Sequence, residues 1–185
     1  MKDESMQSGL LRATLFAATQ HREQRRKGSG ATPYVNHVVD VATLLATVAK
    51  VEDLAILQAA LLHDTVEDTA TTFEQIEELF GSDVRFLVEE MTDDKTLPKA
   101  ERKRLQVEHA PEMSSRGKLI KIADKISNIR DIIHRPPPDW SLERRRAYVE
   151  WGEAVVAGCR GVSEKLEQLF DQIVDEAKEV LERRP

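Results

Sequence analysis

The chain has 185 residues, 41% hydrophobic and 32% charged, with a formal net charge of −6, which excludes a disordered polymer and argues against a general nucleic-acid coat. A single cysteine, Cys159, excludes an intrachain disulfide and a cysteine-rich metal site and weakly favours a reducing compartment. No apolar run reaches membrane-spanning length and no secretory signal is legible, so the expectation is a cytoplasmic protein that engages neither membrane nor nucleic acid.

Aromatic residues make up 5% of the chain, while Leu, Ala, Glu, Lys and Arg dominate. That balance leans helical, and the pattern reads as about nine helices and no strand. The first helix is expected from about Gly9 to Arg26, ending in a flexible loop, Lys27-Gly28-Ser29-Gly30. Pro33 leads into a second helix at about Asn36–Lys50. Asp53 is a plausible N-cap for a central helix whose run Leu54–Leu62 is almost wholly apolar and then turns abruptly polar at His63-Asp64-Thr65-Val66-Glu67-Asp68. Thr69 to Thr72 form a turn. Thr72 and Gln75 have capping-box spacing for Phe73–Phe80, which Gly81 ends, and Ser82 is positioned to cap the next helix. Pro98 suits the first turn of a basic helix through His109. Lys118–Ile133 carries an apolar stripe that includes Leu119, Ile122, Ile126 and Ile129, and Pro136-Pro137-Pro138 stops it. Ser141–Cys159 and Ser163–Arg183 close the chain. With no internal repeat or low-complexity linker, the expectation is one all-α domain over residues 1–185. The long amphipathic last helix suits either the core or a homodimer.

Charged groups on the central helix need compensation, because a buried charge is costly unless paired or bound to a metal. On one continuous helix, with His63 at the origin, Asp64, Glu67 and Asp68 fall at roughly 100°, 40° and 140°, all on one side. His37 opens the second helix, and Asp124 interrupts an apolar helix between Lys121 and Lys125, with Asn128 and Asp131 following at helical spacing. His37, His63, Asp64 and Asp124 form a two-nitrogen, two-oxygen set that suits Mn²⁺, Fe²⁺ or Zn²⁺ without choosing among them. Without cysteine ligands, a catalytic site with open positions is favoured over a structural one. Two basic clusters, Arg22, Arg25, Arg26 and Lys27, then Arg144, Arg145 and Arg146, suit a small anionic ligand on an acidic protein.

The pattern His37…His63-Asp64…Asp124 resembles the HD superfamily of metal-dependent phosphohydrolases. The segments His21–Lys27, Thr32–His37, Ala59–Thr69, Thr92–Lys99 and Lys121–Asn128 resemble the hydrolase domain of RelA/SpoT enzymes, and are most similar to stand-alone small alarmone hydrolases of the metazoan SpoT-like type. The likeness spans about residues 10–160, leaving 163–183 as a packing helix. Val38 departs from it, since relatives often carry proline after the histidine.

The resemblance implies an HD-type helical bundle. It further implies Mn²⁺-dependent removal of pyrophosphate from the 3′ position of guanosine-3′,5′-bis(diphosphate), ppGpp, giving GDP. A metal lowers the pKa of bound water enough to supply a nucleophile, and Glu67 and Asp68 would orient the water and handle protons. Arg26, Lys27 and Lys99 would meet phosphate, Arg144 and Tyr148 the pyrophosphate end and Asn128 the nucleoside, with Tyr34 also lining the pocket. Two alternatives use the same site: NADPH 2′-phosphatase chemistry and hydrolysis of adenosine-type alarmones. A more distant one is a nucleotide-binding sensor without catalysis. His109 and His134 read as surface or helix-end residues, and Trp140, Trp151 and Cys159 as packing residues.

Overall fold

A computed structural model describes residues 5–28 and 30–183. Ser29 of the expected loop and the first residues of the N-terminus lie outside that range. The described residues form α1 (Met6–Gln20), α2 (Val35–Thr47), α3 (Leu54–Leu62), α4 (Thr65–Asp68), α5 (Phe73–Phe80), α6 (Ser82–Met91), α7 (Lys99–His109), a 3₁₀ turn (Ala110–Glu112), α8 (Ser115–His134), α9 (Leu142–Ala157) and α10 (Glu164–Arg183). Nine of the ten helices have eight residues or more, and the fold is all-α. Backbone pairing of strand type among the described residues is limited to one isolated bridge, Arg25 with Pro33. No described helix is long and apolar enough to cross a membrane.

Two helices carry the architecture. In α3 every residue from Ile56 to Leu62 is buried, and it packs on α1, α2 and α6. In α8 the run Ile120–Ser127 is buried without interruption, and it packs on α10, α2 and α9. The amphipathic α10 contributes its apolar stripe, Leu166, Phe170, Ile173, Val174, Ala177 and Leu181, to this core. Leu119, expected in the buried stripe of α8, is only partly buried. Lys121 and Lys125 are buried instead.

Local signals set several boundaries. Asp53 caps α3, its carboxylate accepting from the Ala55 and Ile56 amides. Thr72 and Gln75 form the expected capping box. Gly81 ends α5 at a φ of 93°, which a side chain would oppose. Gly81, not Ser82, then stands at the cap position of α6, and no side chain caps that helix. The first helix stops at Gln20, earlier than expected. The His21 amide donates to Ala17, the Gln24 amide to His21, and the His21 ring pairs with Gln24 Oε1 at 2.6 Å. This turn frees Gln24–Lys27 to run back beside Thr32–Tyr34.

The central helix is also shorter than expected. It ends at Leu62, His63 and Asp64 form a turn, and α4 restarts at Thr65. Thr65 Oγ1 donates to the Leu62 carbonyl at 2.6 Å, a local competition that ends regular helix. The single-helix angles for Asp64, Glu67 and Asp68 therefore do not apply.

Candidate active site

The interruption after α3 places a histidine and an aspartate at the edge of the core. His63 arrives from the end of a buried helix and Asp64 from the turn. His37 sits in the first turn of α2, and Asp124 midway along α8. Their ligand atoms face one another. His63 Nε2 lies 3.0 Å from Asp64 Oδ2 and 3.7 Å from Asp124 Oδ1. His37 Nε2 lies 3.2 Å from Asp124 Oδ1 and 3.7 Å from Asp64 Oδ2. His37, His63 and Asp124 each offer an atom within 4.8 Å of the other two. Asp64 stands at the rim of that trio, where Tyr34 Oη donates to its Oδ2 at 2.5 Å.

The outer ring atoms orient the histidines. His63 Nδ1 lies 2.8 Å from the Ala60 carbonyl, which can only accept, so Nδ1 carries the proton. His37 Nδ1 shares a hydrogen bond of 3.1 Å with Ser127 Oγ. Held this way, both rings turn Nε2 toward carboxylates. His63 Nε2 is buried, yet it makes no hydrogen bond of acceptable direction. An Nε2 that faces carboxylate oxygens needs a proton or a metal ion between them, because its bare lone pair would be repelled.

The titration shifts carry the same message. Burial lowers the His63 pKa, but Asp64 and Asp124 outweigh it and push the imidazolium up to about 10. Burial holds His37 below its ordinary value, against the pull of Asp124. Asp64 is held below the usual carboxylate range, where the nearby His63 overcomes burial. Asp124 is also held well below that range, with Lys125 and the two histidines overcoming burial. A divalent cation satisfies the same four groups, and this nitrogen–oxygen set fits one.

Glu67 and Asp68 occupy α4, just past Asp64. Glu67 Oε2 accepts from the Asp93 amide at 3.1 Å, and its other oxygen lies 3.7 Å from Arg102 Nη1 and 4.0 Å from Lys95 Nζ. Burial pushes the Glu67 carboxyl above its usual value, against the Asp93 amide, which lowers it. Asp68 accepts from Gln24 Nε2 at 2.8 Å and forms a short ion pair with Lys95. The segment 92–98 thus braces both acids.

Beside Asp68 opens a cleft of about 360 Å³, which Glu67 does not line. Of the expected substrate residues, Arg26, Lys27, Tyr34, Lys99, Asn128 and Tyr148 line it. Arg26 is already engaged, donating to Asp131 Oδ2 and to Asn128 Oδ1 at 2.8 Å each. Asn128 in turn donates to Asp124 Oδ1 at 2.6 Å, which ties the cleft to the histidine centre. Arg144 is exposed, with its guanidinium 4.3 Å from the centre of the Trp140 ring. Lys99 is pulled below its ordinary pKa by partial burial and then by the neighbouring cations Arg144, Lys27 and Arg102. A cluster of mutually repelling cations is prepared for an anion.

A family model described as an HD domain matches residues 13–150. The chain belongs to the HD-domain family. Among named HD-domain relatives, it is 54% identical over 164 residues to the guanosine-3′,5′-bis(diphosphate) 3′-pyrophosphohydrolase MESH1 of Xenopus tropicalis, covering 89% of this chain and 92% of that protein. It is 55% identical over 164 residues to the Homo sapiens protein of the same name, covering the same shares. A solved structure described as a metazoan ortholog of SpoT that hydrolyzes ppGpp superposes with a TM-score of 0.89 at 48% identity. The match covers 95% of this chain and 98% of that one.

Several residues of this HD-domain cleft escape a reading of motifs. Trp140 and Trp151 line the cleft and are not packing residues alone. Tyr148 sits between them, with its ring centre 5.3 Å from each. Lys103 stands 4.4 Å from the Trp151 ring. The cue was the spacing of Tyr148 and Trp151 on α9 with lysines on the facing α7, which becomes informative only once the two helices are known to meet. Cys159 is buried, while His109 and His134 are exposed at helix ends, as expected.

Proposed function

We propose that this HD-domain chain, acting as one domain, removes the 3′-pyrophosphate of ppGpp to give GDP and pyrophosphate, with Mn²⁺ as its divalent ion. The observation that carries the reading is the convergence of His37, His63, Asp64 and Asp124, tied through Asn128 and Tyr34 to a cleft walled by cations and indole rings. A divalent ion bound by those four residues supplies Lewis acidity and an activated water.

The remaining work falls to side chains. The cleft wall of Trp140, Tyr148 and Trp151 offers faces for a flat base, because every base has a π-face. Lys27, Lys99 and Lys103 offer positive charge to phosphates along the cleft. Arg26, held by Asp131 and Asn128, presents a fixed guanidinium edge. Glu67, with its carboxyl raised above the usual value by burial, would be a stronger base for the proton of the attacking water. Asp68, paired with Lys95, would handle the proton of the departing group.

The names of the relatives at 54% and 55% identity favour the guanosine substrate over NADPH or adenosine-type alarmones. The complete set of polar side chains at the centre favours an enzyme over a sensor. Product analysis with ppGpp, with and without Mn²⁺, tests this, with Asp64→Asn as control. GDP and pyrophosphate should form only with metal and intact Asp64. A protein that binds the metal and leaves ppGpp untouched would sink the substrate assignment.

A further inference from the structure

The two oxygens of Asp124 have different surroundings. Oδ1 faces His37 and His63 and accepts from Asn128. Oδ2 points away and accepts from Lys125 Nζ at 3.0 Å. The Lys125 side chain is 4% exposed, and its ammonium stands 4.4 Å from the centre of the Trp151 ring. A buried ammonium persists only where its lost hydration is replaced. Here one replacement is a carboxylate of the histidine centre and the other is the aromatic wall of the cleft.

Trp151 is itself fixed from the other side. Its Nε1 donates to the Lys103 carbonyl at 3.0 Å, and the Lys103 ammonium approaches the same ring at 4.4 Å. Trp151 lines the cleft and Lys125 does not, so Lys125 acts through its two neighbours. We infer that Lys125 is a positioning residue that locks Asp124 with Oδ1 turned to the divalent ion and couples that orientation to the seat of Trp151. The inference rests on reading the centre as a metal site. Without the ammonium, Oδ2 loses its lysine partner, the carboxylate can rotate, and metal occupancy no longer reaches the indole.

The test is a Mn²⁺ titration of metal-stripped full-length protein, following the free ion by electron paramagnetic resonance. Lys125→Met should weaken Mn²⁺ affinity by roughly 10- to 100-fold, the range for partners that orient metal ligands. Lys125→Arg, which keeps the charge, should bind Mn²⁺ more tightly than Lys125→Met. In a Trp140→Phe background the remaining indole fluorescence comes from Trp151. That signal should change on Mn²⁺ addition, and the change should vanish when Lys125→Met is added. Circular dichroism melting identifies a variant that fails to fold, in which case Lys125→Gln and the fluorescence titration of the Lys125 protein decide. Wild-type Mn²⁺ affinity in a folded, charge-free variant overturns the inference, as does Trp151 fluorescence indifferent to the ion. A wild-type chain that binds neither Mn²⁺ nor Zn²⁺ sinks the metal reading, and the role of Lys125 with it.

Discussion

The histidine–carboxylate centre and the outer wall of the cleft are built on opposite principles. At the centre, His37, His63 and Asp124 are almost fully buried, His37 and Asp124 on helices that the core holds and His63 in the turn that directly follows buried α3. At the wall, Lys27, Lys99 and Arg144 are exposed, and the aromatic rings beside them are half-buried. The centre offers fixed ligand atoms in a dry setting, where any change in charge is felt in full. The wall offers area and positive potential in a wet one, where individual contacts are screened. Changes at the centre should therefore strike kcat and metal binding, and changes at the wall should strike KM.

The largest effect should come from Asp64→Asn. It removes a charge that faces both histidine Nε2 atoms, at 3.0 Å and 3.7 Å. Turnover should fall below detection, and calorimetry should show weakened metal binding. Full activity in this variant would remove Asp64 from the metal set and dissolve the distinction between the two regions.

Glu67→Gln comes next and divides the centre itself. Glu67 is read as a base and not as a metal ligand, so the variant should keep its metal while kcat falls by about 10²- to 10⁴-fold. The pH profile sharpens this. Burial raises the Glu67 pKa above its ordinary value, and a base must be ionised to work. Wild-type kcat should therefore decline as pH falls through that raised pKa, and the Glu67 limb should be missing from the Gln variant. Loss of metal together with activity would instead place Glu67 among the ligands.

The wall is tested by Trp140→Ala. Stacking of a base on an aromatic side chain is worth about 1–3 kcal/mol, on the order of 10- to 100-fold in affinity. KM for ppGpp should rise by that factor, with kcat little changed. A fall in kcat with an unchanged KM would mean that Trp140 serves the chemistry and not the base.

The contrast between the regions also explains what the sequence made legible. The centre was readable because its parts lie in local patterns. An apolar run ends in His63-Asp64, and Asp124 interrupts a buried stripe. Caps such as Asp53 and the Thr72–Gln75 box were readable for the same reason, since the partners are three residues apart or fewer. The break between α3 and α4 was hidden although the Thr65 hydroxyl that competes for the Leu62 carbonyl is local, because threonine also fits a helix interior and the contact that holds Asp64 in the turn comes from Tyr34, 30 positions earlier. The wall was largely hidden too. Arg26 finds Asn128 and Asp131 more than 100 positions away, and Trp140 and Trp151 look like core residues until α7 and α9 are seen to face each other across the cleft.

The smallest effect should arise where the wall meets the backbone. A Cβ at Gly28 would stand 2.2 Å from the Arg135 carbonyl oxygen, closer than any side chain tolerates. Neither partner can yield by moving a flexible side-chain tip, because the obstruction is main chain. Gly28→Ala must therefore shift the segment that carries Arg26 and Lys27. Arg26 keeps its hold on Asp131, so the displacement should fall mainly on Lys27, the exposed cation of the rim. KM should rise by a few-fold, about 1 kcal/mol or less for one screened surface charge, with kcat and metal affinity unchanged. If metal affinity falls as well, the loop is tied to the centre through Arg26, Asn128 and Asp124, and the two regions form one mechanical unit.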